Sequence, residues 1–227
     1  MAITQVHDAA TIGAAEYSIP GDAAGVTAQT GDGLYEVWID FGAITAVADE
    51  FEVRIYEKIQ AVGTQRVIFG PISISKPEVV VLPAVILLHG WDFTVKKTLG
   101  TDRSIAWSIR KASGTITTPY EDAATIGTTE YSMPNDSNGV ASITAQGCYQ
   151  AFMDFNAMAA IADEFEVKMY EKVQAAGTQR VIHGPISVIS PECVVMPARI
   201  LMNGWDLTLK KITGTDRSIP WSIRKIA

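Results

Sequence analysis

Apolar and polar positions alternate along several short stretches of the chain. Over Leu34 to Phe41 (LYEVWIDF), Tyr35, Val37, Ile39 and Phe41 share one face while Glu36, Trp38 and Asp40 take the other, the period of two that marks a half-buried strand. Phe51 to Ile59 repeats the pattern, with Phe51, Val53 and Ile55 inward and Glu52, Arg54 and Tyr56 outward. Ahead of these, a short polar leader precedes an expected first strand over Ala14 to Ile19, which Pro20-Gly21-Asp22 stops, and Gly21 to Gly33 reads as a long loop. Gly42 to Ala48 fits either a helical turn or a connection between sheets. Gln60 to Thr64 is a predicted hairpin loop, and Gln65 to Ser75 its return strand, where Gly70-Pro71 forces a bulge or an edge position. Val79 to Leu88 is an apolar run broken by Pro83.

Trp91 to Leu99 and Arg103 to Lys111 are predicted to form a hairpin, because the Gly100-Thr101-Asp102 connection suits the positive φ of a short turn. Ile105, Trp107 and Ile109 then share the inward face of its second strand. About seven short strands with regular turn signals, and no long stretch of period 3.6, define an all-β antiparallel sandwich or jelly-roll-like module.

The module is written twice. HGWDFTVKKTLGTDRSIAWSIRK at residues 89–111 returns as NGWDLTLKKITGTDRSIPWSIRK at 203–225, and the offset of 114 (205 − 91 for the paired tryptophans) holds along nearly the whole chain. Roughly three-fifths of aligned positions are identical, the mark of an internal duplication. The expected organisation is two tandem sandwiches, 1–113 and 114–227, with Ala112 to Pro119 as a short linker.

Composition narrows the partners. With 48% apolar and 19% charged residues, each repeat has enough apolar matter for its own core. A net charge of −7 with scattered Lys and Arg argues against nucleic acid, whose binding rests on clustered cations. The N-terminus has no basic start followed by an apolar core, so export by a signal peptide is not expected, and the longest apolar run is too short to cross a membrane. Cys148 and Cys193 stand where the first repeat has Leu34 and Val79, which makes them candidate buried free thiols.

Candidate chemistry is sparse. Trp91-Asp92 and Trp205-Asp206 fit a sugar-stacking ring beside a carboxylate, but fit better a structural anchor, an indole over the end of the sandwich with the Asp accepting from turn amides. Asp102-Arg103 and Asp216-Arg217 are ligand-facing groups at exposed tips or local ion pairs that stabilise a hairpin. Trp38 lies on the polar face of its strand, and Phe152 keeps an aromatic there in the second repeat. Glu57-Lys58 and Lys96-Lys97 read as outward-facing charges. His7, His89 and His183 align with Glu121, Asn203 and Phe69, so no histidine site is duplicated. Asp49-Glu50 and Asp163-Glu164 lack the loop spacing of a calcium site, and Asn135 to Gly139 reads as turn chemistry. No nucleophile elbow or phosphate cradle is present, so neither a cofactor nor catalysis is expected.

The blocks AATIGTTEYSMP (123–134), DEFEVKMYEK (163–172), GTQRV (177–181) and Gly204 to Lys225 resemble a small module of proteins encoded by tailed bacteriophages. The resemblance covers almost all of each repeat and brings no catalytic residues with it. It implies a virion component made in the host cytoplasm, most directly a capsid decoration, cement or head accessory protein. Its expected partner is the major capsid protein or another virion protein, engaged in repeated copies or as a homo-oligomer. The alternative reading is a carbohydrate- or host-surface-binding adhesin or fibre component that uses Trp38, Trp91 and Trp205 as stacking platforms.

Overall fold

The computed structural model describes residues 2–44, 48–158, 162–172 and 174–226. Among these residues every regular element is a strand, and the chain divides into two compact units, Met1–Ile116 and Thr117–Ala227. The first unit contains β1 (Ala2–Ile12), β2 (Tyr17–Ser18), β3 (Ala23–Ala24), β4 (Gly33–Asp40), β5 (Glu50–Glu57), β6 (Arg66–Ile74), β7 (Val79–Val81), β8 (Val85–Leu87), β9 (Asp92–Leu99) and β10 (Arg103–Ser113). They form two five-stranded antiparallel sheets. One runs β1-β10-β4-β7 with β8 also on β4, and the other runs β3-β2-β9-β5-β6.

The second unit repeats the arrangement with β11 (Ile116–Ile126), β12 (Tyr131–Ser132), β13 (Ser137–Asn138), β14 (Gly147–Asp154), β15 (Glu164–Lys172), β16 (Gln179–Val188), β17 (Cys193–Val195), β18 (Arg199–Leu201), β19 (Asp206–Thr213) and β20 (Arg217–Ile226). Its sheets are β11-β20-β14-β17, with β18 on β14, and β13-β12-β19-β15-β16. Each unit is an antiparallel β-sandwich.

The alternation builds the core as expected. Val37, Ile39 and Phe41 from one sheet and Phe51, Val53 and Ile55 from the other are all 0% exposed. Phe41 meets Phe51 across the gap at 5.7 Å between ring centroids, and Phe155 meets Phe165 at the same distance in the second unit. Burial of a side chain of this size contributes about 2–3 kcal/mol.

Four local expectations change. The supposed polar leader is β1, an eleven-residue strand paired with β10 from Ala2↔Ser113 to Ile12↔Arg103, and within Ala14 to Ile19 only Tyr17–Ser18 is strand. Most of β1 is exposed, which left no alternation to read. The linker shrinks to Gly114-Thr115, because Ala112 and Ser113 belong to β10 and Ile116 to Pro119 to β11. Glu57 is not outward: it is 0% exposed, and its Oε1 accepts the Leu88 and His89 N–H groups at 2.6 and 3.0 Å, which pins the turn into β9. Cys148 and Cys193 are free thiols but half-buried. Of the ambiguous Gly42 to Ala48 segment, residues 45–47 lie outside the described residues.

The largest correction concerns Gly100-Thr101-Asp102. β9 pairs with β2 and β5, and β10 with β1 and β4, so the connection is not a hairpin but carries the chain from one sheet to the other. What holds it there is Asp49, 1% exposed, which accepts Thr101 N–H at 2.9 Å and Arg103 Nε at 2.8 Å. Gly100 sits at φ 86°, and a Cβ there would collide with Asp49 Oδ1. Positive φ and a short polar connection serve a sheet-crossing arch as well as a hairpin. The residue that decides between them lies fifty positions upstream.

Candidate functional site

Adjacent strands place side chains of matching register on the same face. On the outer face of the first unit's β1-β10-β4-β7 sheet, the register aligns His7 with Ser108, Ser108 with Trp38 and Trp38 with Val81. The neighbouring row runs Gln5, Arg110, Glu36. Trp38 is half-buried; its Nε1 donates to Glu36 Oε2 at 2.8 Å, and the Arg110 guanidinium lies 4.1 Å from its ring centroid. The carboxylate fixes the indole from one edge and the cation lies over the ring. Two open troughs flank this pair. One of about 470 Å³ is lined by Ile3, Leu34, Glu36, Ala84 and Arg110, and one of about 430 Å³ by His7, Asp8, Trp38, Asp40 and Val79. Val79 and Val81 border the face at 56% and 45% exposure.

The second unit keeps the contact, with Arg224 at 3.8 Å from the Phe152 ring, but there both side chains are 0% exposed. Among the described residues, the half-exposed aromatic and cation therefore occur together in the first unit only. Sequence reading picked out Trp38 and missed Arg110, Glu36, Val79 and Val81. Arg110 and Glu36 looked like ordinary outward positions, and only the register of β10 on β4 brings them to the indole.

The other predicted site residues are structural. Trp91 and Trp205 are 4% and 1% exposed, pack on Tyr35 and Tyr149 at 4.3 and 4.6 Å between centroids, and donate their indole N–H groups to Gly31 O and Ala145 O. Neither offers a ring to a ligand, which removes them as stacking platforms. The adjoining Asp92 accepts Ser18 Oγ at 2.8 Å and Thr27 N–H at 2.6 Å; Asp206 accepts Ser132 Oγ at 2.7 Å and Ala141 N–H at 2.6 Å. Burial pushes both carboxyls up to about 6 from 3.8, against the pull of these hydrogen bonds. They anchor the loops after β3 and β13 to the sheet, as loop-amide acceptors.

Asp102 and Arg103 do not bind each other in a hairpin tip. Asp102 pairs with Lys97 and Arg103 with Asp49; in the second unit Asp216 pairs with Lys211 and Arg217 with Asp163. These four residues clamp the two sheet crossings. Asp49 and Asp163, weighed as calcium ligands, serve the same clamps. Among the described residues no group of three His, Cys, Asp or Glu side chains is arranged to hold a metal ion.

No protein-family model matches the chain, and neither does any curated protein. Among solved structures, the PBSX exported protein XepA is similar over 100% of this chain and 86% of its own, at 10% identity and a TM-score of 0.34. PNGase F, a glycosylasparaginase from Flavobacterium meningosepticum, is similar over 100% of this chain and 96% of its own, at 11% identity and a TM-score of 0.32. The tandem CBM22-1-CBM22-2 domain of Paenibacillus barcinonensis Xyn10C covers 98% of this chain and 87% of its own, at 6% identity and a TM-score of 0.28. None of these likenesses supplies an argument about what this chain does.

Proposed function

We propose that this protein is a non-catalytic structural component of a phage virion, a decoration or head accessory protein that docks on capsid protein through the outer face of β4 and β10. The observation that carries the reading is the Trp38-Arg110 pair, half-buried on an open sheet face and bordered by exposed Val79 and Val81. Tryptophan and arginine are the residue types that dominate binding energy when a partner removes them from water, and an apolar border excludes that water. The Glu36 hydrogen bond holds the indole in one orientation before binding, which reduces the side-chain entropy lost on docking. A passive role also accounts for the strongly held clamps and anchors, which spend the chain's buried carboxylates on rigidity.

The test is co-sedimentation of the purified protein with assembled heads. Wild type is expected to bind; Trp38→Ala and Arg110→Ala are expected to weaken binding by about tenfold or more without loss of fold. Failure of the wild type to bind heads would overturn the proposal. The adhesin reading keeps only Trp38 of its three platforms, and that ring already carries a guanidinium. A glycan array with reproducible, Trp38-dependent binding would revive it.

A further inference from the structure

The sequence protects most of its strand edges. β6 and β16 carry Gly70-Pro71 and Gly184-Pro185, and their ladders slip register beside them. β7 and β8, like β17 and β18, are three-residue pieces interrupted by Pro83 and Pro197, and β3 and β13 are two residues each. β11 carries Pro119 together with Glu121 and Asp122. Short edges, prolines, bulges and charges all discourage a further strand from joining a sheet.

β1 is neither short, proline-bearing nor bulged, and its one carboxylate, Asp8, lies in its second half. Its eleven residues pair with β10 one to one without a bulge, it contains neither proline nor lysine, and His7 and Asp8 are its only ionisable side chains. Ile3 and Val6 are 72% and 63% exposed. Among the described residues it has β10 on one side and no strand on the other.

Two observations fix which backbone groups face that free edge. The Ala9 N–H donates to the Asp8 carboxylate at 2.8 Å, so it points away from β10. The position of Gln5 is taken by Pro119 in β11 (119 − 5 = 114, the repeat offset), and a strand tolerates proline where the N–H would face away from its neighbour. Direction alternates along a strand, so residues 3, 5, 7 and 9 turn their N–H and C=O groups outward.

We propose that β1 pairs antiparallel with the β1 of a second copy of this chain, about a two-fold axis through Gln5. That register sets Ile3 opposite His7, Thr4 opposite Val6 and Gln5 opposite Gln5 of the other molecule. Asp8 falls opposite Ala2, so no like charges meet in a chain of net charge −7, and its hold on Ala9 N–H ends the ladder. The strand is self-complementary, which is what an isologous two-fold contact requires. The two β1-β10-β4-β7 sheets become continuous and cover Ile3 and Val6.

Sedimentation equilibrium of the full chain over a concentration series tests this, beside Gln5→Pro and Ile3→Pro. Wild type is expected to show a monomer–dimer equilibrium. Gln5→Pro removes the two central intermolecular hydrogen bonds and is expected to weaken dimerisation by about tenfold or more; the fold should persist, since β11 accepts the same proline and the only other loss is the exposed Gln5–Ser108 side-chain hydrogen bond. If Gln5→Pro fails to fold, Ile3→Pro, which removes an outward N–H nearer the end of the strand, is expected to weaken the dimer likewise. Hydrogen exchange of the Ile3, Gln5 and His7 amides should slow with wild-type concentration. A wild-type chain that stays monomeric overturns the proposal, as does a dimer equally tight in both variants. Protection of those amides only on addition of capsid protein would overturn it in favour of that partner.

Discussion

Asp49 lies 54 residues from Arg103 in sequence, yet its Oδ2 is 2.7 Å from that guanidinium while its Oδ1 takes the Thr101 N–H. This one carboxylate sets the direction in which the chain leaves β9. Asp49→Ala strands a buried N–H and half-buries an unpaired cation, and is expected to cost about 3 kcal/mol. Gly100→Ala, which must displace both Asp49 and the Ala48 carbonyl, is expected to destabilise through the same contact. Urea midpoints at constant m-value check both. If the two substitutions in one chain cost the full sum of the single effects, they do not act on a shared contact.

The stability of each unit should rise on mild acidification. Asp92 and Asp206 are held up at about 6 by burial, above the 3.8 of the unfolded chain. Between these values the folded protein holds more protons than the unfolded one, so stability grows as pH falls through the window. Above about 6 both states are ionised and the cost of burying the charges is fully present. From pH 7 to 5 the unfolding free energy is expected to rise by about 1 kcal/mol per carboxylate, and the urea midpoint with it. Asp92→Asn and Asp206→Asn should each flatten their share of that slope. A midpoint that falls in wild type and is unaltered in slope by either variant would count against the assignment.

The tryptophans should separate by role. Trp91→Ala opens a cavity beside Tyr35 and Phe93 and removes the bond to Gly31 O, for an expected loss of about 3–5 kcal/mol. Trp38→Ala removes a half-buried ring on an outer face and is expected to cost about 1 kcal/mol or less. Thermal denaturation of the two variants distinguishes them, and equal losses would mean that Trp38 is a core residue.

The sandwich class was legible because β4 and β5 are buried on one face and wet on the other, so period two survives in their residues. The sites were less so. Trp91-Asp92 announces an unusual pair without saying that it is buried, since a ring over a carboxylate looks the same in sequence whether it meets a sugar or a loop. The Gly100-Thr101-Asp102 arch was read as a hairpin because local turn chemistry is shared; the deciding partner, Asp49, is a long-range contact. β1 was hidden for the opposite reason: a strand wet on both faces has no hydrophobic period. Only its pairing with β10 reveals it.

The two cysteines offer a last check of the second unit's register. Cys148 pairs with Ile200 and Ile226 near the start of β14, whereas Cys193 pairs with Asp154 at its end. Six positions of strand (154 − 148) separate these sites, about 20 Å at the rise of an extended chain. That is far beyond disulfide reach. The protein should therefore give two titratable thiols in denaturant whether or not it has been stored in air. In the native state Cys148 should label in a slow phase relative to the denatured protein, because burial raises its pKa and leaves little thiolate at neutral pH. Its labelling rate should keep rising beyond pH 9. Cys148→Leu, the residue of the first repeat, should remove the slow phase and change stability by less than about 1.5 kcal/mol. An intramolecular disulfide in the air-stored protein, seen as a mass lower by two hydrogens, would mean that the β14 register is wrong.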